Sequence, residues 1–104
     1  MSRLDLVGGP NGAGKSTFVR LTLAPRLAGS VFVSADEIAR RQWPAADLAA
    51  HAYDAAALAA ETGHRLVEAR RPFIAETVFS HPSKLALIEA ANAAGYYVAL
   101  HVLM

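Results

Sequence analysis

The stretch Leu4-Asp5-Leu6-Val7-Gly8-Gly9-Pro10-Asn11-Gly12-Ala13-Gly14-Lys15-Ser16-Thr17-Phe18 decides how the rest of the chain is read. Leu4 to Val7 is too short an apolar run for a helix and stops at a dense turn signal, Gly8 to Gly12, so it reads as a short buried strand. From Lys15 to about Arg26 the spacing turns helical, with Phe18 and Leu21 facing inward, Val19 and Leu23 as further candidates, and Pro25 and Gly29 ending it. Between strand and helix, Gly9 to Thr17 matches G-x-x-x-x-G-K-[ST] in the context that motif needs. At ordinary residue frequencies a chance match in a chain of this length arises about 0.4% of the time.

Each residue type in the motif has its own chemical reason. Glycines let backbone N–H groups converge on phosphate oxygens without side chains in the way. Lys15 brings a compact positive charge to the β and γ phosphates, Ser16 offers a hydroxyl to Mg2+, and the following helix adds its positive N-terminal end. A glycine-rich turn alone requires neither the lysine nor the hydroxyl. The expected ATP-binding set is therefore Gly9, Asn11, Gly12, Ala13, Gly14, Lys15, Ser16 and Thr17, with Ser16 on the metal and Lys15 also serving the transferred phosphoryl group.

Outward from the motif, strands and helices alternate. Val31 to Val33 is a second strand that runs into Ser34-Ala35-Asp36, and Asp36 to Gln42 is a short helix closed by Trp43-Pro44. A long helix is expected from about Ala45 to Arg70, with Leu48, Ala52, Ala55, Ala59, Thr62 and Leu66 on its dry stripe and Gly63 as a weak point. Pro72 to Thr77 is a third strand. Ser80 or His81 caps a helix with Pro82 in its first turn, and Leu85, Leu87, Ile88, Ala91 and Ala94 carry that helix to Gly95. Tyr96 to Met104 is a fourth strand. Continuous apolar strands alternating with helices imply an α/β class, a partial P-loop-type parallel sheet of about four strands covered by helices on both faces.

The 104 residues suit one domain, so a multidomain enzyme is excluded. Twenty-three of them are alanine, which leaves 33 larger apolar side chains for a thin, helix-rich core. A net charge of +1 gives no electrostatic case for nucleic acid. The absence of cysteine rules out disulfides, thiolate metal sites and a cysteine nucleophile. Asp5 stands where a signal peptide would build its apolar segment, and Glu89, Asn92 and Gly95 interrupt the longest apolar stretch, so a cytoplasmic protein with no membrane partner is expected.

The string GPNGAGKST also occurs in ATP-binding-cassette ATPases, but no LSGGQ signature and no apolar run ending in Asp-Glu follows it here. GGPNGAGKSTF, VFVSADEIAR and FIAETVFSHPSKLALIEAANAAGYYVALHVLM, in that order and spacing, resemble instead the successive blocks of the zeta toxin family of P-loop kinases. The resemblance covers essentially the whole chain. It implies an ATP-dependent small-molecule kinase whose best understood relatives phosphorylate UDP-N-acetylglucosamine and so interfere with cell-wall precursor supply. It also implies Mg2+ as cofactor and an antitoxin protein as partner. By the same resemblance Asp36 accepts the proton of the acceptor hydroxyl, and Glu76 and Thr77 lie at the acceptor substrate.

These residues also stand where ligands gather in an open parallel sheet, beyond the carboxyl ends of the strands. Other readings stay open: Asp36 as an N-cap, and Glu76 as a magnesium-side acid or a member of a structural ion pair. His51 and His64 are expected as solvated helix positions, His81 as a cap and His101 as a satisfied sheet residue. Arg40 and Arg41 read as a solvated pair able to steer phosphates, and Trp43 and Tyr53 as packing on the alanine-rich helix or stacking on a base or sugar. The family continues into a lid carrying arginines that this sequence lacks, so residues 1–104 are expected to form a single domain without that C-terminal part. The competing expectation is an inactive nucleotide-binding fragment that acts by binding a protein partner.

Overall fold

Four parallel strands form one sheet in the order β2-β3-β1-β4, with β1 Arg3–Gly8, β2 Val31–Val33, β3 Phe73–Thr77 and β4 Tyr97–Val102. The structure, a computed structural model, describes residues 2–9, 14–48, 50–77 and 83–103. Each strand is a run of apolar residues because those nearest the middle are buried from both sides: Leu4 to Gly8 and Phe73 to Ala75 are all inaccessible to solvent or nearly so. Alternation along the pleat sends Leu4, Leu6, Phe73 and Ala75 to one face, and Val7 and Ile74 to the other.

The first face is covered by three helices, α3 Ala35–Gln42, α4 Ala52–Glu68 and α5 Ser83–Ala93. The second is covered by one continuous helical segment, which is α-helical over Lys15–Phe18 (α1), a wider π-helix over Val19–Leu23, and α-helical again over Ala24–Arg26 (α2). Val19 and Leu23, four residues apart, point into that second core. Leu21 lies on the opposite side of the same turn and is 74% exposed, contrary to the inward position expected for it.

The long helix expected over 45–70 is divided. A 3-10 turn at Ala45–Asp47 follows Pro44, and His51 leaves helical geometry at φ −108° and ψ 13°, so α4 begins at Ala52. Its buried stripe steps by four through Ala55, Ala59, Gly63 and Val67, whereas Ala52 is exposed and Thr62 and Leu66 are half-buried. The helix runs through Gly63 without a break. A Cβ there would sit 3.3 Å from Leu87 on α5, so the small residue sets how closely the two helices approach. On α5, Leu87 and Ala91 are buried, and Leu85 is mostly exposed. The cap expected at Ser80, His81 and Pro82 lies outside the described residues, as does Met104.

Cover on both faces holds for β1 and β3 but not for β4, one of the two edge strands, where Tyr97, Leu100 and Val102 are each more than half exposed. Among the described residues no helix is long and apolar enough to cross a membrane.

Candidate phosphate loop and acceptor cleft

The end of β1 meets the end of β4 at very close range. Leu103 N–H donates to the Gly8 carbonyl at 2.8 Å, and Gly9 follows at φ +154°, with the position of an added Cβ only 2.5 Å from the Leu103 carbonyl oxygen. Only glycine fits that turn. Gly14, in left-handed geometry at φ 80°, opens α1 as its N-cap and accepts the first helical hydrogen bond from Phe18 N–H at 2.9 Å. Asn11, Gly12 and Ala13 lie outside the described residues.

Lys15 is buried, and its Nζ donates to the Gly9 carbonyl across the loop at 2.7 Å. An ammonium has three donors, so this one bond leaves two for phosphate oxygens. Ser16 Oγ donates to Glu76 Oε2 at 3.0 Å, which joins the loop's hydroxyl to the end of β3 across 60 residues of sequence. Register explains the reach: Glu76 is level with Val7, and Thr77 with Gly8, on adjacent strands. Thr17 is exposed on α1.

Asp36 follows β2, the strand on the other side of β3. It does not cap α3. Ser34, two residues earlier, holds the cap, its hydroxyl accepting from Glu37 N–H at 3.4 Å. That displaces the capping alternative and leaves the Asp36 side chain exposed, on the lip of a cleft of about 230 Å³. Ala35 and Ala39 from α3, Leu48, and Ala52 and Ala55 from α4 line the cleft, and Arg40 stands one turn after Asp36. Strand spacing of about 4.8 Å places the ends of β2 and β1 roughly 10 Å apart, with Glu76 between them.

Three features escape a linear reading. Asp5 is wholly buried in the middle of β1, where Arg3 grips it through Nε to Oδ2 at 2.7 Å and Nη2 to Oδ1 at 2.8 Å, and His101 Nε2 lies 3.0 Å from the same Oδ1. Burial alone would push the Asp5 carboxyl up, but the hydrogen bonds from Arg3 and His101 outweigh it and hold it below the ordinary aspartate value. His101 is thus the satisfied sheet residue expected, and its ring also packs on Phe18 at 5.7 Å. A signal for Asp5 was present, since a charge inside an apolar strand demands a partner and alternation puts Arg3 on the same face. Only the β1–β4 register identifies His101. Second, Tyr96 is buried, with its hydroxyl shared between the Leu66 and Arg71 carbonyls at 2.9 and 2.7 Å, and burial pushes its phenol up.

Third, Trp43 stacks flat on His51, so neither side chain behaves as its sequence position suggested: the tryptophan covers a histidine, and the histidine is half-buried. Tyr53 is 79% exposed. Arg41 pairs loosely with Glu37 at 3.8 Å on the surface.

A parallel sheet of this strand order, with a glycine-rich phosphate loop leaving β1 for a helix, defines a P-loop-type α/β fold. The zeta toxin family matches residues 2–104, and the chain belongs to that family. Two solved structures are similar. One is a candidate kinase from Chloroflexus aurantiacus J-10-fl, with a TM-score of 0.76 at 17% identity, covering 99% of this chain and 59% of its own. The other is from the PezAT chromosomal toxin-antitoxin system of Streptococcus pneumoniae, with a TM-score of 0.77 at 19% identity, covering 98% of this chain and 46% of its own. At such identities the likeness is one of fold, and the chain spans roughly half the length of these structures. A comparison with curated proteins found no match.

Proposed function

We propose that this chain carries the nucleotide-binding half-site and the acceptor-side acid of a kinase that passes the terminal phosphoryl group of ATP to a hydroxyl of a small molecule, a nucleotide sugar such as UDP-N-acetylglucosamine. The observation that carries the reading is the hydrogen bond from Ser16 to Glu76, which unites the loop hydroxyl with a carboxylate at a strand end. Membership of the zeta toxin family supports it.

The donor set suits Mg2+, which prefers hard oxygen ligands, keeps several waters and is held by one or two carboxylates together with substrate phosphates. Ser16 and Glu76 would hold it, and when bound it neutralises charge on the phosphate oxygens. Glu76 therefore reads as the metal-side acid in preference to an acceptor contact. Lys15, with two donors left beside its bond to Gly9, binds the β and γ phosphates. In the acceptor cleft Asp36 orients the acceptor hydroxyl and takes its proton as the new O–P bond forms and the bond to the leaving ADP oxygen breaks, with Thr77 beside the acceptor. Because the transition state is loose, alignment and charge compensation supply most of the rate.

An antitoxin protein is the proposed partner, and cytoplasm the proposed compartment. The test is calorimetric titration with MgATP, followed by incubation of labelled ATP with a panel of nucleotide sugars. Lys15→Ala is expected to abolish MgATP binding, and unchanged affinity refutes the loop assignment. Label transfer that disappears in Asp36→Asn supports the kinase. Tight MgATP binding with no transfer to any acceptor favours a nucleotide-binding module that acts through a protein partner.

A further inference from the structure

The flat stack between Trp43 and His51 belongs to neither hydrophobic core. Ring centroids are 4.4 Å apart and the planes are within 5° of parallel, while His51 Nδ1 lies 3.0 Å from Asp54 Oδ2. Trp43 is the residue on which α3 ends, and His51 the residue before α4 begins. These two helices form the walls of the cleft that Asp36 and Arg40 overlook, and the segment joining them contributes Leu48 to its lining. The stack therefore ties together the outer ends of both walls.

We propose that Trp43 and His51 form a clasp that positions the acceptor cleft, fixing the separation of the α3 side, which carries Asp36 and Arg40, from the first turn of α4. This role rests on the assignment of that cleft to the acceptor. Neither residue touches the reacting atoms, so both are positioning residues.

The imidazole is held at its edge as well as on its face. Asp54 Oδ2 on α4 lies 3.0 Å from Nδ1, and the main-chain carbonyl of Asp47 on the 3-10 turn accepts the His51 backbone N–H at 3.3 Å. The ring that stacks on Trp43 is thus fixed to the first turn of α4 by its own side chain.

Trp43 is the sole tryptophan, so its emission reports the stack directly. The emission of the wild-type chain is expected to differ from that of His51→Ala, in which the indole loses its stacked ring. His51→Ala is expected to weaken UDP-N-acetylglucosamine binding by about two- to tenfold, the worth of an aromatic pair, with MgATP affinity unchanged, and His51→Phe is expected to restore it. Identical emission from the wild type and His51→Ala overturns the clasp itself. Equal sugar affinity in wild type and His51→Ala overturns the positioning role alone. No sugar binding by the wild type, with MgATP binding intact, overturns the acceptor assignment and the clasp's role with it.

Discussion

Replacing Arg3 with methionine tests whether the buried charge under the phosphate loop is held as the geometry implies. Arg3→Met keeps a long apolar stem but removes two short, charge-assisted hydrogen bonds from a carboxylate with no access to water. Leaving a buried charge without its main partner costs about 3 to 5 kcal/mol. His101 retains one bond to Asp5, which places the expected loss near the lower end, about 3 kcal/mol, or more than about 10 °C in Tm for a chain of this size. Changing both partners, in Arg3→Met with Asp5→Val, removes the charge together with its need for a partner and puts a strand-favouring side chain in the space. The double variant is expected within about 1 kcal/mol of wild type. The dependence on pH has a definite sign. The folded-state value of Asp5 is lowered, so its contribution is complete above the unfolded-state value of about 3.9 and fades as pH falls below that through the folded value. The gap between wild type and Arg3→Met should therefore be widest at neutral pH and narrow in acid. Urea denaturation followed by far-ultraviolet circular dichroism, at neutral and at acid pH, measures all of this. A loss under about 1 kcal/mol for the single variant, or a double variant less stable than the single, refutes the reasoning.

Gly9→Ala should be damaging twice over, since its Cβ would overlap the Leu103 carbonyl and its φ is unfavourable for alanine; a loss of about 1 to 3 kcal/mol in thermal melts and weaker MgATP binding by calorimetry are expected. Ser34→Ala removes the cap of α3, whose hydrogen bond is long at 3.4 Å, so the loss in urea denaturation should sit low in the usual range, about 0.5 to 1 kcal/mol. Tyr96→Phe strips the phenol from the Leu66 and Arg71 carbonyls and should lower stability by about 1 to 2 kcal/mol in the same assay.

The strands were legible because burial on both faces demands continuous apolar runs, and the loop because its chemistry demands particular residues at fixed spacing. Helix faces were less so. Phe18, Val19, Leu21 and Leu23 offer two apolar stripes, and only the docking of the helix on Val7 and Ile74 selects Val19 and Leu23. In residues 45–70 the alanines fit several stripes nearly equally, so neither the break before Ala52 nor the shift to Ala55, Ala59, Gly63 and Val67 could be read from spacing. Ser34 and Asp36 are both good capping residues, and which one caps depends on where β2 releases the chain. Contacts such as Asp5 with His101, or Trp43 with His51, depend on register and on the path of a loop, which local sequence does not encode.

Strand order does more for the proposed chemistry than the parallel arrangement alone. Any parallel sheet brings its strand ends to one rim, but the order β2-β3-β1 makes Glu76 the neighbour of the loop and leaves Asp36 one strand further away. Were β2 to lie beside β1, the acid after β2 would face Ser16, and the one after β3 would stand apart. The Ser16 hydroxyl is spoken for by Glu76 at 3.0 Å, whereas Asp36 stands exposed over a cleft of its own. Two carboxylates of similar chemistry are thereby separated into different surroundings by topology, one hydrogen-bonded to Ser16 and one beyond the end of β2, two strands from β1. That separation is the physical basis on which the proposal gives the two acids different tasks.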